Sequence, residues 1–526
     1  MLNNQRYVIG LDIGTTSTKA VLFTAKGDTV CRYAVGYPLY APTPGAAEQD
    51  PEEIFSAVIT TVRKVMTLSQ IEPTQLMGLS FSAAMHSLIA VDTQGKLLSQ
   101  SITWADNRSA HWAKKIKREQ HGHEIYLRTG TPIHPMSPFV KLIWLRNEHP
   151  EIFEQAAKFI SIKEYVFYRF FQKYIVDYSI ASATGLLDLK ALDWDHEALE
   201  MAGITTTQLS ELVPTTHIVK PMPASLAQAL GILADTPTVI GANDGVLSNL
   251  GVGAIQPGMI AVTVGTSGAV RTMVERPITD PQERLFCYAL SENHWVVGGA
   301  VNNGGIALRW VRDQLTDTEV RAAQRLGKDP YDLITMLAET VPPGAGGLIF
   351  HPYLMGERSP LWDANARGSF FGLSLNHTKA HLVRAVLEGI VFNLCLVLQA
   401  LEEFTGKAAR IQATGGFARS PVWRQMMADI FDQDVIVPEQ YESSCLGAAV
   451  LGLYALKEIS SLNLVSQMIG ETYRHQPIAA HVATYKKILP IYTRLLKAFQ
   501  GEYESVAQLQ EELTPSTSTN RYSNPQ

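Results

Sequence analysis

The stretch that decides the fold lies near the start of the chain and reads Val8-Ile9-Gly10-Leu11-Asp12-Ile13-Gly14-Thr15-Thr16-Ser17-Thr18-Lys19-Ala20-Val21-Leu22-Phe23. It combines an apolar run typical of a strand, a tight turn of glycine and small hydroxyl residues, and a second apolar run. The same pattern returns as Met259-Ile260-Ala261-Val262-Thr263-Val264-Gly265-Thr266-Ser267-Gly268-Ala269-Val270. Such a turn presents backbone N–H groups and hydroxyls in a concave nest that suits phosphate oxygens. Two such turns predict two related domains that hold one polyphosphate from opposite sides.

Length and composition narrow the class of protein. A chain of 526 residues is too long for one core and predicts two large domains. The hydrophobic content of 46% and charged content of 18% are those of a soluble protein, and a net charge of −6 gives no case for nucleic acid. We expect no apolar run to approach the roughly 18 residues of a membrane span, and the first strand pattern begins too early to leave room for a signal peptide. The 4 cysteines are scattered and predict reduced thiols in a cytoplasmic protein.

Strand and helix patterns alternate, which predicts an α/β protein. Asp50-Pro51-Glu52-Glu53 is a helix start with a capping aspartate and proline at the first helical position. Residues 77–84 and 238–242 have the composition of buried strands, and the second of these ends in Asn243-Asp244-Gly245. The predicted domains span residues 1–247 and 248–500, followed by a partly disordered tail, 501–526. A helix-rich insertion over 110–213 is expected to shape a substrate pocket.

The first turn carries two charged residues that suit phosphoryl transfer. Asp12, at the end of the strand, can hold Mg²⁺ through water beside the phosphates. Lys19 can neutralise charge on the transferring group. A plain hairpin is the alternative interpretation, but the second turn favours a phosphate site. The chain has no GxxxxGK[ST] motif and so is not a P-loop protein.

A further glycine-rich segment, Gly415-Gly416-Phe417-Ala418-Arg419-Ser420-Pro421, stands between a predicted strand and a predicted helix. Glycines there let backbone approach a flat ligand, and a helix N-terminus favours a polar group. An ordinary strand–helix turn explains the motif equally well. The small-residue segment 442–449 is expected to wall the same pocket.

Asp244 is the candidate catalytic base. It stands at the predicted carboxyl end of a strand next to the domain boundary, where ligands of α/β proteins gather. A hydroxyl that attacks a γ-phosphate needs a positioned carboxylate to accept its proton. The alternative is that Asp244 only caps the following helix.

Two polar clusters, Met85-His86 and Trp104-Ala105-Asp106-Asn107-Arg108, suit a polyhydroxylated ligand. An indole can cover a carbon face while polar groups bind hydroxyls. The pairs His377/His381 and His121/His123 lack a third ligand at suitable spacing and do not predict zinc. The segment 251–256 lacks the third glycine of a dinucleotide fingerprint, which argues against NAD.

These motifs resemble the FGGY carbohydrate kinase family over nearly the whole chain. One family signature is similar to Met136-Ser137-Pro138-Phe139-Val140-Lys141-Leu142-Ile143-Trp144-Leu145-Arg146-Asn147-Glu148, and another to residues 368–388. The resemblance implies two actin/Hsp70-like, ribonuclease H-like domains with an active-site cleft between them. It also implies ATP and Mg²⁺ as cofactors.

The resemblance implies roles for individual positions. Asp244 resembles the family's catalytic base, and Asp12 its magnesium-associated carboxylate. The implied ATP contacts are Thr15, Thr16, Ser17 and Lys19 in the first turn, Gly265, Thr266 and Ser267 in the second, Gly304 and Gly305 in a further loop, and Gly416 and Ser420 in the adenosine loop. The implied substrate contacts are Met85, His86, Trp104, Asp106, Arg108 and Asp244.

Within the family the chain is most similar to gluconokinases, so the expected reaction is transfer of the ATP γ-phosphate to the terminal hydroxyl of D-gluconate. His86 and Arg108 are the candidate cations for the acid end of the substrate. A kinase for xylulose or another sugar, an actin/Hsp70-like ATPase module and a catalytically inactive sugar sensor are the alternatives. The expected partners are a small sugar acid and ATP, with no nucleic acid and no membrane, and the sequence is compatible with a homodimer.

Overall fold

The computed structural model describes residues 5–119, 121–438, 442–470 and 472–513. Part of the predicted tail, 514–526, lies outside these residues. The preceding segment is ordered: Tyr503–Leu513 is a helix in which Tyr503 and Ala507 are buried.

The first half of the chain is built on a six-stranded sheet with the order β13-β14-β5-β1-β2-β3. Its centre is the antiparallel pair formed by the opening hairpin, and β5 and β14 join it in parallel. The elements of this half are β1 (Tyr7–Ile13), β2 (Ser17–Thr24), β3 (Thr29–Gly36), β4 (Glu48–Gln49), α1 (Pro51–Ser69), β5 (Leu76–Ala83), β6 (Ile89–Val91), β7 (Ser101–Ile102), α2 (Ala110–Glu119), α3 (Gly122–Thr129), α4 (Pro138–Glu148), α5 (Pro150–Gln155), β8 (Lys158–Ile160), α6 (Ile162–Phe171), β9 (Ile175–Asp177), α7 (Tyr178–Ser182), β10 (Leu187–Asp188), β11 (Asp193–Trp194), α8 (His196–Ala202), β12 (Glu211–Val213), β13 (Ile218–Val219), α9 (Ala224–Leu230), β14 (Thr238–Asn243) and α10 (Asp244–Gly251).

The second half repeats this plan in a seven-stranded sheet with the order β17-β18-β16-β15-β21-β22-β23. Here the second hairpin forms the central antiparallel pair, and β21 joins it in parallel. The elements are β15 (Met259–Val264), β16 (Gly268–Val274), β17 (Phe286–Ser291), β18 (His294–Val301), α11 (Gly305–Gln314), α12 (Asp317–Leu326), α13 (Pro330–Glu339), β19 (Ile349–His351), β20 (Ser369–Phe371), α14 (Lys379–Thr405), β21 (Arg410–Thr414), α15 (Pro421–Phe431), β22 (Val435–Pro438), α16 (Ser443–Ala455), β23 (Thr472–His475), α17 (Ala479–Phe499) and α18 (Tyr503–Leu513). Short 3-10 turns lie at Pro73–Gln75, Thr206–Gln208, Ala345–Gly347, Gly416–Arg419, Leu462–Gln467 and Gln500–Glu502.

Local sequence signals account for several of these boundaries. Asp50 caps α1 by accepting a hydrogen bond from the Glu52 N–H at 2.8 Å, and Pro51 is the first helical residue, as predicted. The apolar stripe of α1 includes Ile54, Val58 and Val62, which are all buried. The helix therefore covers one face of the first sheet.

Helix α14 corrects one expectation. It has 27 residues and contains a window apolar enough to cross a membrane, so the sequence does contain such a segment. Of that window, 89% is buried inside the protein. The helix is apolar nearly all round because it runs through the core of the second half.

The two halves meet through α10 and α16, which pack backbone to backbone. A Cβ at Gly251 would lie 1.8 Å from the Ser443 carbonyl oxygen, and one at Gly447 would lie 1.9 Å from that of Leu247. Helix α16 also contacts the first sheet, where a Cβ at Gly10 would lie 2.0 Å from the Cys445 carbonyl oxygen. The predicted domain limit at 247/248 falls inside α10.

Candidate active site

A cavity of about 250 Å³ lies between the two sheets and is lined from both halves of the chain. It brings together many of the predicted residues, since the ends of the two hairpins and of β5 and β14 meet there. The predicted residues that line it are Thr15, Met85, His86, Trp104, Asp244, Gly265 and Ser267.

Asp244 is the first residue of α10 and does not cap it. The cap is Asn243, whose side chain accepts a hydrogen bond from the Val246 N–H at 2.8 Å. The alternative interpretation of Asp244 as a helix cap is therefore wrong. Burial, together with repulsion from Asp12, raises the pKa of the Asp244 carboxyl to about 7. A carboxyl with this pKa is poised to accept a proton near neutral pH.

A buried lysine holds the strand that presents Asp244. The Lys163 ammonium donates to the carbonyl oxygens of Ile240 and Ala242 on β14, at 3.2 and 3.1 Å. It also forms an ion pair of 2.6 Å with Asp177, and both side chains are almost fully buried. Breaking such a buried pair is strongly destabilising, so the end of β14 is firmly placed. The sequence analysis did not identify this lysine.

A second half-buried carboxylate, Asp12, precedes the first turn. Ser82 Oγ donates to Asp12 Oδ1 at 2.7 Å, and burial raises the Asp12 pKa. Lys19 lies opposite Asp12 in the hairpin register, and its Nζ donates to Glu442 Oε2 at 2.5 Å. In the same turn, Thr15 Oγ1 accepts a hydrogen bond from Trp104 Nε1 at 2.8 Å. The turn is thus connected both to the second half and to the predicted sugar cluster.

The donor set around Asp12 fits a magnesium ion that keeps most of its water. Asp12 and Asp244 lie close enough for the charge of one to raise the pKa of the other. Mg²⁺ is commonly held by one or two carboxylates together with phosphate oxygens and water. Within the described ranges, no group of three or more His, Cys, Asp or Glu residues could form an all-protein metal cage.

The second turn is held by backbone rather than by charge. The Gly265 N–H donates to the Ser267 carbonyl oxygen at 2.8 Å, and the Gly305 N–H donates to that of Gly265 at 2.7 Å. The Gly304 N–H donates to the Thr266 carbonyl oxygen at 3.2 Å. A Cβ at Gly304 would lie 2.6 Å from the Ser267 carbonyl oxygen, so only glycine fits there. The predicted Gly304–Gly305 loop therefore packs directly on the turn.

A second cavity, of about 300 Å³, continues from this turn. Gly265, Thr266, Gly305, Gly416 and Ser420 line it, which are all predicted ATP contacts. Ser420 also caps α15, accepting from the Trp423 N–H at 3.3 Å. Tyr331 and Arg309, which the sequence motifs did not indicate, also line this cavity. A nucleotide whose flat base lay in this cavity could reach the second turn with its phosphates, because Gly265 and Thr266 line the same cavity.

His86 lies in the first cavity as a neutral ring. Its Nδ1 donates to the Ala183 carbonyl oxygen at 2.7 Å, and its Nε2 lies 3.3 Å from the Tyr288 hydroxyl. Burial lowers the His86 pKa to about 3. His86 can therefore bind a hydroxyl, but it is not the cation expected for an acid group.

Arg108 and Asp106 are not brought to the first cavity. Arg108 Nη2 pairs with Asp106 at 2.7 Å and with Glu48 at 2.5 Å, and its guanidinium stacks on Trp144. Asp106 also accepts from the Ala47 N–H at 2.9 Å. These contacts hold the loop before α1 against the Trp104 loop, and they leave Arg108 no free charge for a substrate.

The cavity has charged residues that the sequence analysis missed. Arg271 on β16 and Arg358 both line it, and the Arg358 guanidinium lies 4.7 Å from the Trp104 ring. Tyr288 and Trp362 complete the wall. An arginine inside an otherwise apolar strand was the available signal for Arg271.

Comparisons with known proteins agree with this geometry. Residues 7–251 match the N-terminal domain, and residues 260–456 the C-terminal domain, of the FGGY family of carbohydrate kinases. The chain is 57% identical to a gluconokinase from Bacillus licheniformis, over 97% of this chain and 99% of that protein. It is also similar to two solved structures from Lactobacillus acidophilus. One is called a gluconate kinase (TM-score 0.90, 40% identity, 95% of this chain and 100% of that one). The other is called a ligand-bound xylulose kinase (TM-score 0.89, 40% identity, the same coverage).

These matches confirm the expected two-domain actin/Hsp70-like fold with an interdomain cleft. The two family matches cover both turns. The chain belongs to the FGGY family of carbohydrate kinases.

Proposed function

We propose that this protein transfers the γ-phosphoryl group of ATP to the terminal hydroxyl of D-gluconate, giving 6-phospho-D-gluconate and ADP. The observation that carries the proposal is the half-buried Asp244 carboxyl, with its raised pKa, in a cavity lined by residues of two turns suited to phosphate. The 57% identity to a protein named gluconokinase supports gluconate as the acceptor.

In the proposed mechanism, Asp244 accepts the proton of the substrate hydroxyl as its oxygen attacks the γ-phosphorus. The new O–P bond forms while the bond to the ADP oxygen breaks. A strong base is unnecessary because the transition state is loose. Lys19 stabilises charge on the transferring group after leaving Glu442, and the two turns donate N–H groups to phosphate oxygens.

Magnesium, when bound, would neutralise charge on the phosphates, and Asp12 would hold it through water. The remaining ATP contacts in the proposal are Thr15, Thr16, Ser17, Gly265, Thr266, Ser267, Gly304, Gly305, Gly416 and Ser420. Closure of the two halves around the substrate would exclude water and limit ATP hydrolysis.

Xylulose is the second candidate acceptor, because the similar structure named xylulose kinase is as alike in fold as the one named gluconate kinase. A coupled assay with gluconate, xylulose, ribulose and glycerol distinguishes them. We expect kcat/KM to be highest for gluconate. Saturable turnover of xylulose without turnover of gluconate would contradict the proposal, and ATP hydrolysis indifferent to every sugar would favour an ATPase module.

The proposal includes several finer assignments. The two domains span residues 1–247 and 248–500. The protein is located in the cytoplasm, and it assembles as a homodimer. Reduced cysteines in a cytoplasmic setting agree with the buried, unpaired state of Cys287, Cys395 and Cys445. Light scattering of the purified protein tests the homodimer, and a monomeric mass would contradict it.

A further inference from the structure

Arg271 projects into the first cavity from the middle of β16. Its partner in the strand register is Gly298 on β18, which has no side chain. A Cβ at Gly298 would lie 3.0 Å from Arg271 Cγ, so the glycine leaves room for the arginine stem. On its other side, Gly298 pairs with Phe286 of β17. Phe286 therefore lies on the same face of the sheet as Arg271, and it also lines the cavity.

The Arg271 guanidinium has few hydrogen-bond partners within the protein. Its Nη1 donates to Thr263 Oγ1 over 3.4 Å, and its buried Nε has no hydrogen-bond partner. Burial lowers the pKa of Arg271 to about 10. Among the ion pairs of the described residues, none joins Arg271 to a carboxylate within 4.0 Å. An unpaired buried cation is costly, and an incoming anion would relieve that cost.

A second guanidinium strengthens the demand for an anion. Arg358 donates from Nη2 to the Val301 carbonyl oxygen at 3.2 Å, and its Nε is likewise buried without a partner. Burial is the main cause of the lowered pKa of Arg271, and repulsion from the Arg358 charge lowers it further. Two like charges on one wall favour binding of a negative group between or beside them.

The position of Arg271 favours an anion on the sugar rather than a phosphate of ATP. Arg271 lies three residues beyond Gly268, where the second turn ends. Its charge acts on Tyr288, whose hydroxyl is 3.3 Å from His86 Nε2 in the sugar cluster. It also interacts electrostatically with Asp244 without pairing directly with it. The base and the guanidinium therefore line the same cavity without being paired with each other.

We propose that Arg271 binds the carboxylate of the sugar acid while Asp244 faces the hydroxyl at the other end of the chain. This inference rests on the proposed function, because it needs an acidic substrate. It assigns the charge that His86 and Arg108 do not supply. Arginine suits the task because its planar fork can hold both oxygens of a carboxylate.

The test compares Arg271→Gln and Arg271→Lys with the wild type. We expect Arg271→Gln to raise the KM for gluconate about 30- to 100-fold, as for loss of a charged hydrogen bond, with a much smaller change in kcat. The ATP KM and the slow turnover of neutral xylulose should hardly change. Arg271→Lys should recover part of the gluconate affinity. Arg276→Gln, an exposed arginine just beyond the same strand, is the matched control.

Calorimetric binding of gluconate, measured on the same proteins, separates the two hypotheses. If wild-type protein neither binds nor phosphorylates gluconate, the proposed function fails. If wild-type protein does both and Arg271→Gln has the same gluconate affinity, the Arg271 inference alone is overturned. If Arg271→Gln lost kcat/KM equally with gluconate and with xylulose, and its pH profile shifted, Arg271 would instead act by tuning the Asp244 carboxyl. A raised KM for ATP in Arg271→Gln would show instead that Arg271 binds a phosphate of ATP. Thermal melting checks that each variant is folded.

Discussion

The two glycine–hydroxyl turns differ in length and in surroundings: the first closes between Ile13 and Thr18, and the second, which is one residue shorter, closes between Val264 and Gly268. In both, the N–H of the first glycine folds back onto a serine carbonyl oxygen, at 3.0 Å in Gly14 and 2.8 Å in Gly265. In the first hairpin Asp12 lies opposite Lys19, whereas in the second hairpin the residue that corresponds to Asp12 is Thr263, which lies opposite Ala269. The first turn is thus surrounded by charge and the second by packed backbone.

The difference shows that the same hairpin can serve two purposes: a fixed set of N–H donors and a site of ionisable side chains. A fixed nest of N–H groups needs close packing, which the Gly304–Gly305 loop supplies to the second turn. Charge that must respond to a transferring phosphate needs ionisable side chains, which only the first turn has at the equivalent positions. We therefore expect substitutions near the first turn to lower kcat and those near the second to raise the ATP KM.

The largest effect is expected from Asp244→Asn, next to the first turn. Loss of the proton acceptor should lower kcat by about 10³-fold, measured with saturating substrates. In the wild type, kcat/KM should fall as the pH drops below about 7, because Asp244 becomes protonated. Turnover of Asp244→Asn at the wild-type rate would remove Asp244 as the base.

The same substitution should stabilise the folded protein at alkaline pH. The folded pKa of Asp244 is raised above its unfolded value, so its ionisation costs stability as the pH rises through about 7. Asp244→Asn should therefore melt on the order of 2 °C higher at pH 8, and the gain should shrink as the pH falls and vanish only below about 3.8, the ordinary pKa of an aspartate. Equal melting temperatures at pH 8 would contradict the burial argument.

Asp12→Asn should have the next largest effect. We expect kcat to fall about 100-fold and the magnesium concentration needed for half-maximal rate to rise, because the carboxylate near the phosphates is lost. Thr263→Asn changes the comparable position of the second hairpin and should cost at least ten times less in kcat. Similar losses of kcat in the two variants would contradict the proposal that the two turns have different roles.

Gly304→Ala tests the second turn. Its Cβ would lie 2.6 Å from the Ser267 carbonyl oxygen, so the turn must shift. We expect the ATP KM to rise roughly tenfold, with kcat less affected, since phosphate hydrogen bonds are weakened. Gly501→Ala, where a Cβ meets nothing within 4 Å, is the control. A fall in kcat with an unchanged ATP KM would reverse our assignment.

Glu442→Gln should give the smallest effect. Lys19 is paired with Glu442 and must leave it to reach a phosphate. The pair is partly exposed to solvent, so its loss should lower the ATP KM by only about two- to threefold. Steady-state kinetics at several salt concentrations would measure this, and an increase in ATP KM would show that Glu442 helps to position Lys19.

Much of the fold could be predicted because its signals are local. The hairpins, the Asp50 cap of α1 and the strand before Asp244 follow from short patterns of residue types. The role of Arg108 could not be predicted in this way. Its charge is neutralised by Glu48, 60 residues away in sequence, and only the folded chain brings the two together.

The candidate site shows the same limit. Asp244 was identified from its place at a strand end, but its raised pKa comes first from burial in the folded chain and then from Asp12, more than two hundred residues earlier. Arg271 was missed because strand patterns do not reveal that Gly298 lies beside it. The near-neutral pKa and the free guanidinium both arise from contacts across the sheets and between the halves.

The backbone contact between α10 and α16 affects how the protein unfolds. One apolar cluster includes Val8 and Phe23 from the first half together with Val296 and Leu446 from the second. Neither half encloses this cluster alone, because α16 covers β1 from across the chain. Although the sequence duplicates a hairpin, we therefore expect the two halves to stabilise each other, so that a chain cut between them would not give two autonomously stable domains.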